Sequence, residues 1–177
     1  SITATRYESE TVKRTSIERA LVRAVLTGAE NASMQAVYRM RSSNQRLAVA
    51  LPAGVEFADQ PLRVNGRATS LEKGRDADGQ DRYFIPLVGL SPDEPFVVEL
   101  RYNLKSVGLA APRIDIPSFP GNADAPEPAV QKVYLEVFLP ADRTWLGSLG
   151  PWTSEQVWWS DGWQSWPAPR LSSDELL

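Results

Sequence analysis

The 177-residue chain contains no histidine and no cysteine, and these absences exclude most familiar catalytic machinery. Without histidine there is no Ser-His-Asp triad, no imidazole general base and no imidazole metal ligand. Without cysteine there is no thiol nucleophile, thiolate zinc site, iron–sulfur cluster or disulfide. Long apolar runs are missing too, since none approaches the roughly 18–20 residues that cross a bilayer. We therefore expect no cofactor, no membrane span and no enzyme of these classes.

The net charge, the N-terminal residues and the absence of cysteine indicate the expected partners and location. Nineteen Lys and Arg side chains stand against 22 Asp and Glu, for a formal net charge of -3. No part of the chain is basic enough to follow a phosphate backbone, so nucleic acid is not an expected partner. The chain begins Ser1-Ile2-Thr3, without a basic or apolar leader, which favours a piece of a longer protein. The absence of cysteine favours an extracytoplasmic location.

Alternation of apolar and polar residues with a period of two predicts strands along most of the chain. The clearest segment is 96–104, FVVELRYNL, in which every second residue is apolar. The Asn65-Gly66 dipeptide predicts a type I′ hairpin turn because both residues accept positive φ, and Asp78-Gly79 offers the same turn. Further strands are expected over residues 34–41, 46–51, 62–64, 68–71, 83–87 and 131–139.

The segment from Thr15 to Gly28 supports two interpretations. Its Thr15-x-x-Glu18 spacing matches a helix capping box, and Gly28 is placed to end a helix. Built as a strand, the same segment puts Ile17, Leu21 and Val25 on one face. We predict a strand over 16–27 because its surroundings are all-β, and a helix is the alternative.

Proline divides the chain into three predicted parts. Five prolines fall between Pro112 and Pro128, which is typical of a linker or a long extended crossover. We predict an all-β protein with an antiparallel immunoglobulin-like β-sandwich over residues 1–105 and a proline-rich connector over 106–130. A smaller Trp-rich β element over 131–177 follows, as a strand plus a hairpin. It is either packed on the sandwich or is an incomplete second domain.

Tryptophan is the strongest anomaly, since all six residues of this type lie between Trp145 and Trp166. The stretch WWSDGWQSWP predicts a strand, a turn at Ser160-Asp161-Gly162 and a second strand. Neighbouring residues of a strand point to opposite faces, so Trp158 and Trp159 cannot both enter one core. Some of these rings must be partly exposed or held between two packed layers.

Three roles are open for this cluster: a surface that binds a glycan or a protein partner, a packed structural hairpin, or an aromatic belt near a membrane. Exposed tryptophan rings bind the apolar faces of sugars or anchor a protein partner, and polar neighbours bind hydroxyls. A tightly packed structural hairpin or an aromatic belt near a membrane would also use such rings. The predicted ligand-binding residues are Trp158, Trp159, Trp163, Trp166 and Asp161.

An acidic turn is the candidate metal site. Asp76, Asp78 and Asp81 surround Gly79, and carboxylates on a tight bend suit Ca²⁺. The glycine is fourth rather than sixth in the loop, and Leu87 occupies the twelfth position where a glutamate would bind. An acidic hairpin tip paired with Arg75 and Arg82 is the alternative.

Carboxylate pairs are the catalytic chemistry that the composition leaves open, as in glycosidases. No spacing singles out two of the carboxylates, so an enzyme is the third-ranked function, after an interaction module and a carbohydrate-binding module. The acidic residues near the tryptophans are Glu127, Glu136, Asp142, Glu155 and Asp161.

The order of the strand motifs resembles β-sandwich segments of large anchored bacterial envelope proteins of uncharacterised function. The motifs are LAVALPAGVEF, PLRVNGRATSL, YFIPLVGL and FVVELRYNL, followed by Phe138-Leu139-Pro140 and the tryptophans. The resemblance covers residues 17–177. It implies an extracytoplasmic, non-catalytic module that contacts a protein partner or neighbouring domains of the same chain. It carries over no functional residues.

Overall fold

The protein is all-β in the part that the structure describes. The computed structural model describes residues 15–27, 31–75, 81–92, 94–105, 114–121, 127–142, 152–153 and 156–170. Across those ranges the chain forms eleven strands and no helix, which confirms the predicted fold class. The strands are β1 (Thr15–Thr27), β2 (Asn31–Ser42), β3 (Arg46–Val49), β4 (Val55–Val64), β5 (Arg67–Ala68), β6 (Glu72–Arg75), β7 (Asp81–Pro86), β8 (Phe96–Leu104), β9 (Val133–Phe138), β10 (Gln156–Ser160) and β11 (Ser165–Pro169).

Two sheets share one core, and a separate hairpin completes the described structure. The larger sheet has the order β5-β4-β8-β2-β1-β9, and the smaller one has the order β3-β7-β6. Leu47, Val49 and Ile85 from the small sheet join the buried faces of β1, β2 and β8 in a single apolar cluster. Burial of this alternating apolar face provides the main driving force for folding.

Strand β1 settles the contested segment in favour of a strand. It pairs along its whole length with β2, from Thr15 opposite Ser42 to Thr27 opposite Asn31. The helix alternative was therefore wrong, because pairing with neighbours on both sides outweighs the local capping signals. The predicted side-chain faces need a correction as well. A bulge between Ile17 and Arg19 shifts the register, so the residues of the shared core cluster are Ile17 and then the even-numbered apolar residues from Ala20 to Leu26. Leu21 is fully buried too, but on the opposite face of the sheet, and Val25 on that face is 42% exposed.

Strand β9 makes the large sheet mixed rather than purely antiparallel. It runs parallel to β1, with Ala20 opposite Val133 and Val25 opposite Phe138. Parallel neighbours need a long crossover connection, which the proline-rich segment after β8 supplies. Since β9 is hydrogen-bonded into the sheet, the strand that was predicted at 131–139 lies within the same sheet as β1 and β2.

The described part of the crossover packs into the core. Phe119 is buried, and its ring meets Tyr38 edge to face at a centroid distance of 4.8 Å. Burial raises the pKa of Tyr38, so its hydroxyl stays protonated and donates a hydrogen bond to the Pro117 carbonyl at 3.0 Å. Ser118 forms an antiparallel bridge with Ala50. Residues 114–121 therefore close one side of the core.

The predicted type I′ turn at Asn65-Gly66 is present in the structure. Asn65 and Gly66 have φ values of 47° and 76°, as a type I′ turn requires. The Asn65 side chain also accepts a hydrogen bond from the Val97 N–H at 2.9 Å, which ties the turn to β8. The predicted turn at Asp78-Gly79 lies outside the described residues.

Candidate aromatic site on the C-terminal hairpin

The tryptophan-rich stretch forms the predicted hairpin. Strands β10 and β11 pair antiparallel, which places Trp159 opposite Trp166 and Trp158 opposite Pro167. The Asp161 N–H donates to the Gln164 carbonyl at 3.2 Å and closes the turn. Within the ranges that the structure describes, β10 and β11 pair only with each other. The hairpin is therefore a two-stranded unit, separate from the hydrogen-bonded ladders of the two larger sheets.

Asp161 holds the turn together. Its Oδ1 atom accepts hydrogen bonds from the backbone N–H groups of Gln164 at 2.8 Å and Trp163 at 2.9 Å. These bonds lower the pKa of Asp161, so the carboxylate stays ionised well into the acid range. This side chain is one of the predicted ligands for hydroxyls. The structure engages one of its oxygens in the turn, a role that an aspartate before Gly162 commonly has.

Two of the predicted binding rings face solvent. Trp163, at the turn, is 95% exposed, and Trp159 is 59% exposed. Val157 is two residues before Trp159 and therefore on the same face of β10, and it is 39% exposed. The expectation that some of the rings cannot be buried is thus met at two positions. The side chains of Trp158 and Trp166, and the whole of Trp145, lie outside the described part.

The face of the large sheet that points away from the core carries a polar ladder that the sequence did not reveal. Arg23 on β1 donates to Glu136 on β9 at 2.7 Å and to Gln35 on β2 at 3.4 Å. Gln35 donates to Glu99 on β8 at 2.7 Å, and Arg101 donates to the same carboxylate at 2.6 Å. Burial opposes the ionisation of Glu99, but the hydrogen bonds from Gln35 and Arg101 outweigh it and lower its pKa. The ladder ties four strands together.

Most of the acidic turn that was predicted as a metal site lies outside the described residues. Asp76 and Asp78 lie outside the described residues, and Asp81 is described only by its backbone, which pairs with Arg75 at the start of β7. Elsewhere in the described ranges, no three acidic residues come together in a way that could hold a metal ion.

A groove of about 630 Å³ is a further surface feature. It lies between the hairpin turn that follows β4 and the loop that follows β7, and Val88 on that loop is 83% exposed. Among the described residues that line it, Arg67 is the one with a charged side chain. The groove is mostly uncharged, and its walls come from both sheets.

For the described ranges, no helix is long and apolar enough to cross a membrane.

The fold and the hairpin together define an all-β, sandwich-like protein with an exposed aromatic surface. The chain matches no protein-family model and no curated protein. It is similar to an M1 zinc metallopeptidase from Deinococcus radiodurans, at 14% identity and a TM-score of 0.39, over 51% of this chain and 20% of that one. It is also similar to a yeast LTA4 hydrolase, at 8% identity and a TM-score of 0.41, over 57% of this chain and 17% of that one. The chain thus spans about a fifth of those proteins, and a likeness at this level says nothing about activity.

Proposed function

We propose that this chain is a non-catalytic interaction module of a larger extracytoplasmic envelope protein. The observation that carries the proposal is the exposure of Trp159 and Trp163 on a hairpin that pairs with no other described strand. Exposing a large aromatic ring to water is unfavourable, and tryptophan is among the residue types that most often anchor a protein contact. The partner is another protein or a neighbouring domain of the same chain.

In the three described carboxyl groups with a clear shift, the pKa moves in the direction opposite to that of a catalytic acid. Each described carboxyl group with a clear shift in pKa is shifted downward by its hydrogen bonds: Glu18 by Arg41 and Arg39, Glu99 by Gln35 and Arg101, and Asp161 by its own turn. A glycosidase needs one carboxyl group whose pKa is raised, so that it is protonated and can act as the acid. Glu136, another candidate, is held by Arg23 at 2.7 Å.

A photo-crosslinking amino acid at position 163 tests the proposal directly. It is placed in the full-length envelope protein and expressed in the native cell. The control position is Glu72, an exposed residue on the small sheet far along the chain from the hairpin. We expect position 163 to give a discrete crosslinked product and Glu72 to give none. Equal crosslinking at the two positions, or none at 163, would contradict an interaction through the hairpin.

A carbohydrate-binding module is the second candidate, and the arrangement around the turn favours it. Trp163 stacks well on a sugar face only if it is exposed, and the exposed Gln164 beside it offers amide donors and an acceptor to hydroxyls. Titration with a panel of soluble neutral oligosaccharides separates the two candidates. Under the glycan hypothesis the tryptophan emission shifts, and Trp163→Ala removes the shift without loss of folding. An unchanged spectrum across the panel would leave the protein-contact proposal.

A further inference from the structure

The outer edge of β9 is an open strand edge in the described structure. Strand β9 is the last strand of the large sheet, and no described strand pairs with its other side. A hydrogen bond from the Ala20 N–H to the Lys132 carbonyl at 2.9 Å shows which backbone groups face β1. Since these groups alternate along a strand, the N–H and C=O groups of Val133, Leu135 and Val137 point away from β1. Six backbone hydrogen-bonding groups are thus presented in a row.

Two other edge strands of the sheets, β5 and β6, carry features that discourage pairing, whereas β9 does not. At the opposite end of the large sheet, β5 is two residues long. At one edge of the small sheet, β6 has the sequence EKGR and is largely charged. Short strands and charged side chains are the usual protection of a sheet edge. In β9, VYLEVF, Glu136 is the one charged residue, and it lies against Arg23 inside its own sheet.

The side chains of β9 also lack complete cover. Val133, Leu135 and Val137 pack on the apolar core but are only partly buried, although they face it. Phe138 on the opposite face is 51% exposed. A further strand at this edge would therefore bury apolar area as well as satisfy the backbone groups.

We propose that β9 pairs antiparallel with β9 of a second copy of this chain, about a two-fold axis at Leu135. This register places Leu135 opposite its own copy and Val133 opposite Val137 of the other chain. All the outward N–H and C=O groups of Val133, Leu135 and Val137 then form hydrogen bonds within the paired β9 strands. A register shifted by two residues would leave some of these groups without a partner in β9. On the outer face, Tyr134 lies opposite the second copy's Glu136, and Lys132 lies diagonally from the same carboxylate. The strand is self-complementary in hydrogen bonding, in apolar packing and in charge.

The expected dimer is weak. Pairing over a strand of this length buries less surface than the roughly 1,200–2,000 Å² of a stable complex. Sedimentation of the 177-residue chain from low micromolar to millimolar concentration should show a reversible monomer–dimer equilibrium. A monomer throughout that range would overturn the proposal, including the case in which another segment of the same chain already covers the edge.

Single cysteines test the register, because the natural chain has none. In Leu135→Cys the two Cα atoms would lie about 5.5 Å apart in a hydrogen-bonded pair, within the roughly 4.4–6.8 Å of disulfides. In Val137→Cys the two copies are separated by four residues of strand, about 13 Å. A thiol oxidant such as diamide, which takes up the two electrons and two protons, should link Leu135→Cys into a disulfide dimer and leave Val137→Cys unlinked. Equal linkage of the two variants, or none of either, would contradict this register.

Charge at position 134 gives a second test, on the half-buried face of the strand that points away from the core. Tyr134→Glu places like charges opposite each other twice across the two-fold axis, whereas Tyr134→Lys places opposite charges there. We expect the first variant to weaken dimerisation about ten-fold and the second to retain it. Both variants lose the same contact between Tyr134 and Lys132, so their thermal stabilities as monomers should be similar. Equal dimerisation of the two variants would refute the pairing.

Discussion

Replacing Phe119 by alanine should strongly destabilise the whole sheet structure. The ring is only 3% exposed and packs edge to face on Tyr38 at 4.8 Å, where the crossover closes the core. Removing a buried phenylalanine ring costs about 3–5 kcal/mol, which includes the lost aromatic pair. For a chain of this size we expect a loss of about 3 kcal/mol to lower the Tm by about 6–12 °C.

The assay is urea unfolding followed by far-ultraviolet circular dichroism. Tryptophan emission is unsuitable, since all six tryptophans lie in residues 145–166 and report on the hairpin region. The matched control is Phe138→Ala, which removes the same ring from a site that is 51% exposed and should cost less than about 1.5 kcal/mol. A loss below about 1 kcal/mol for Phe119→Ala, or equal losses for both variants, would refute the conclusion that residues 114–121 complete the core.

Two further predictions concern turns. Gly66→Ala should cost about 1 kcal/mol in urea unfolding, because φ is +76° and no atom lies within 4 Å of the added Cβ, so backbone strain is the only cost. No loss of stability would contradict the observed turn. The turn after β10 should open in acid: its hydrogen bonds from Gln164 and Trp163 lower the pKa of Asp161. Their stabilisation is therefore present above the ordinary aspartate range and is lost as the pH falls through the lowered value. Amide NMR shifts of Trp163 and Gln164 measure this opening. Asp161→Asn keeps the acceptor oxygen but does not ionise, so it should abolish the pH dependence of these shifts. If the pH dependence persists in this variant, the opening is caused by the titration of another group.

Local pattern predicted the strands well because each strand carries its own signal. The alternation in 96–104 gave β8 with its observed bounds, since one face of that strand is buried along its full length. The Asn-Gly turn at residue 65 was predicted because few other residues accept its backbone geometry. These features depend on neighbours in the sequence and are visible without the fold.

Features that depend on distant partners could not be predicted. The faces of β1 were assigned incorrectly because the strand has a bulge at Glu18, which local alternation does not indicate. The Glu18 carboxylate accepts hydrogen bonds from Arg39 and Arg41 of β2, which are distant in the sequence. The parallel pairing of β9 was missed because a crossover carries no local signal for the strand that it returns to. The burial of Phe119 was missed for the same reason, since proline-rich sequence resembles an exposed linker whether or not it packs.

The candidate site was partly predictable. The alternation of side chains in a strand required that some tryptophans be exposed, and Trp159 and Trp163 are. The role of Asp161 in the turn was not separated from a role in binding, because an aspartate before a glycine is common in both. The polar ladder through Arg23 was also beyond the sequence, since its members come from four strands.

The solvent exposure of Trp163, in the isolated chain and in the longer protein that the proposed function implies, tests that proposal most directly. Fluorine NMR of 5-fluorotryptophan-labelled protein, assigned with Trp163→Phe, reports the exposure of this ring through the shift between H₂O and D₂O. We predict a full solvent shift in the isolated chain, where the ring is 95% exposed, and a strongly reduced shift when the natural partner or neighbouring domain is present. A ring that stays fully exposed in the presence of the rest of the protein and its natural partners would contradict a function in contact.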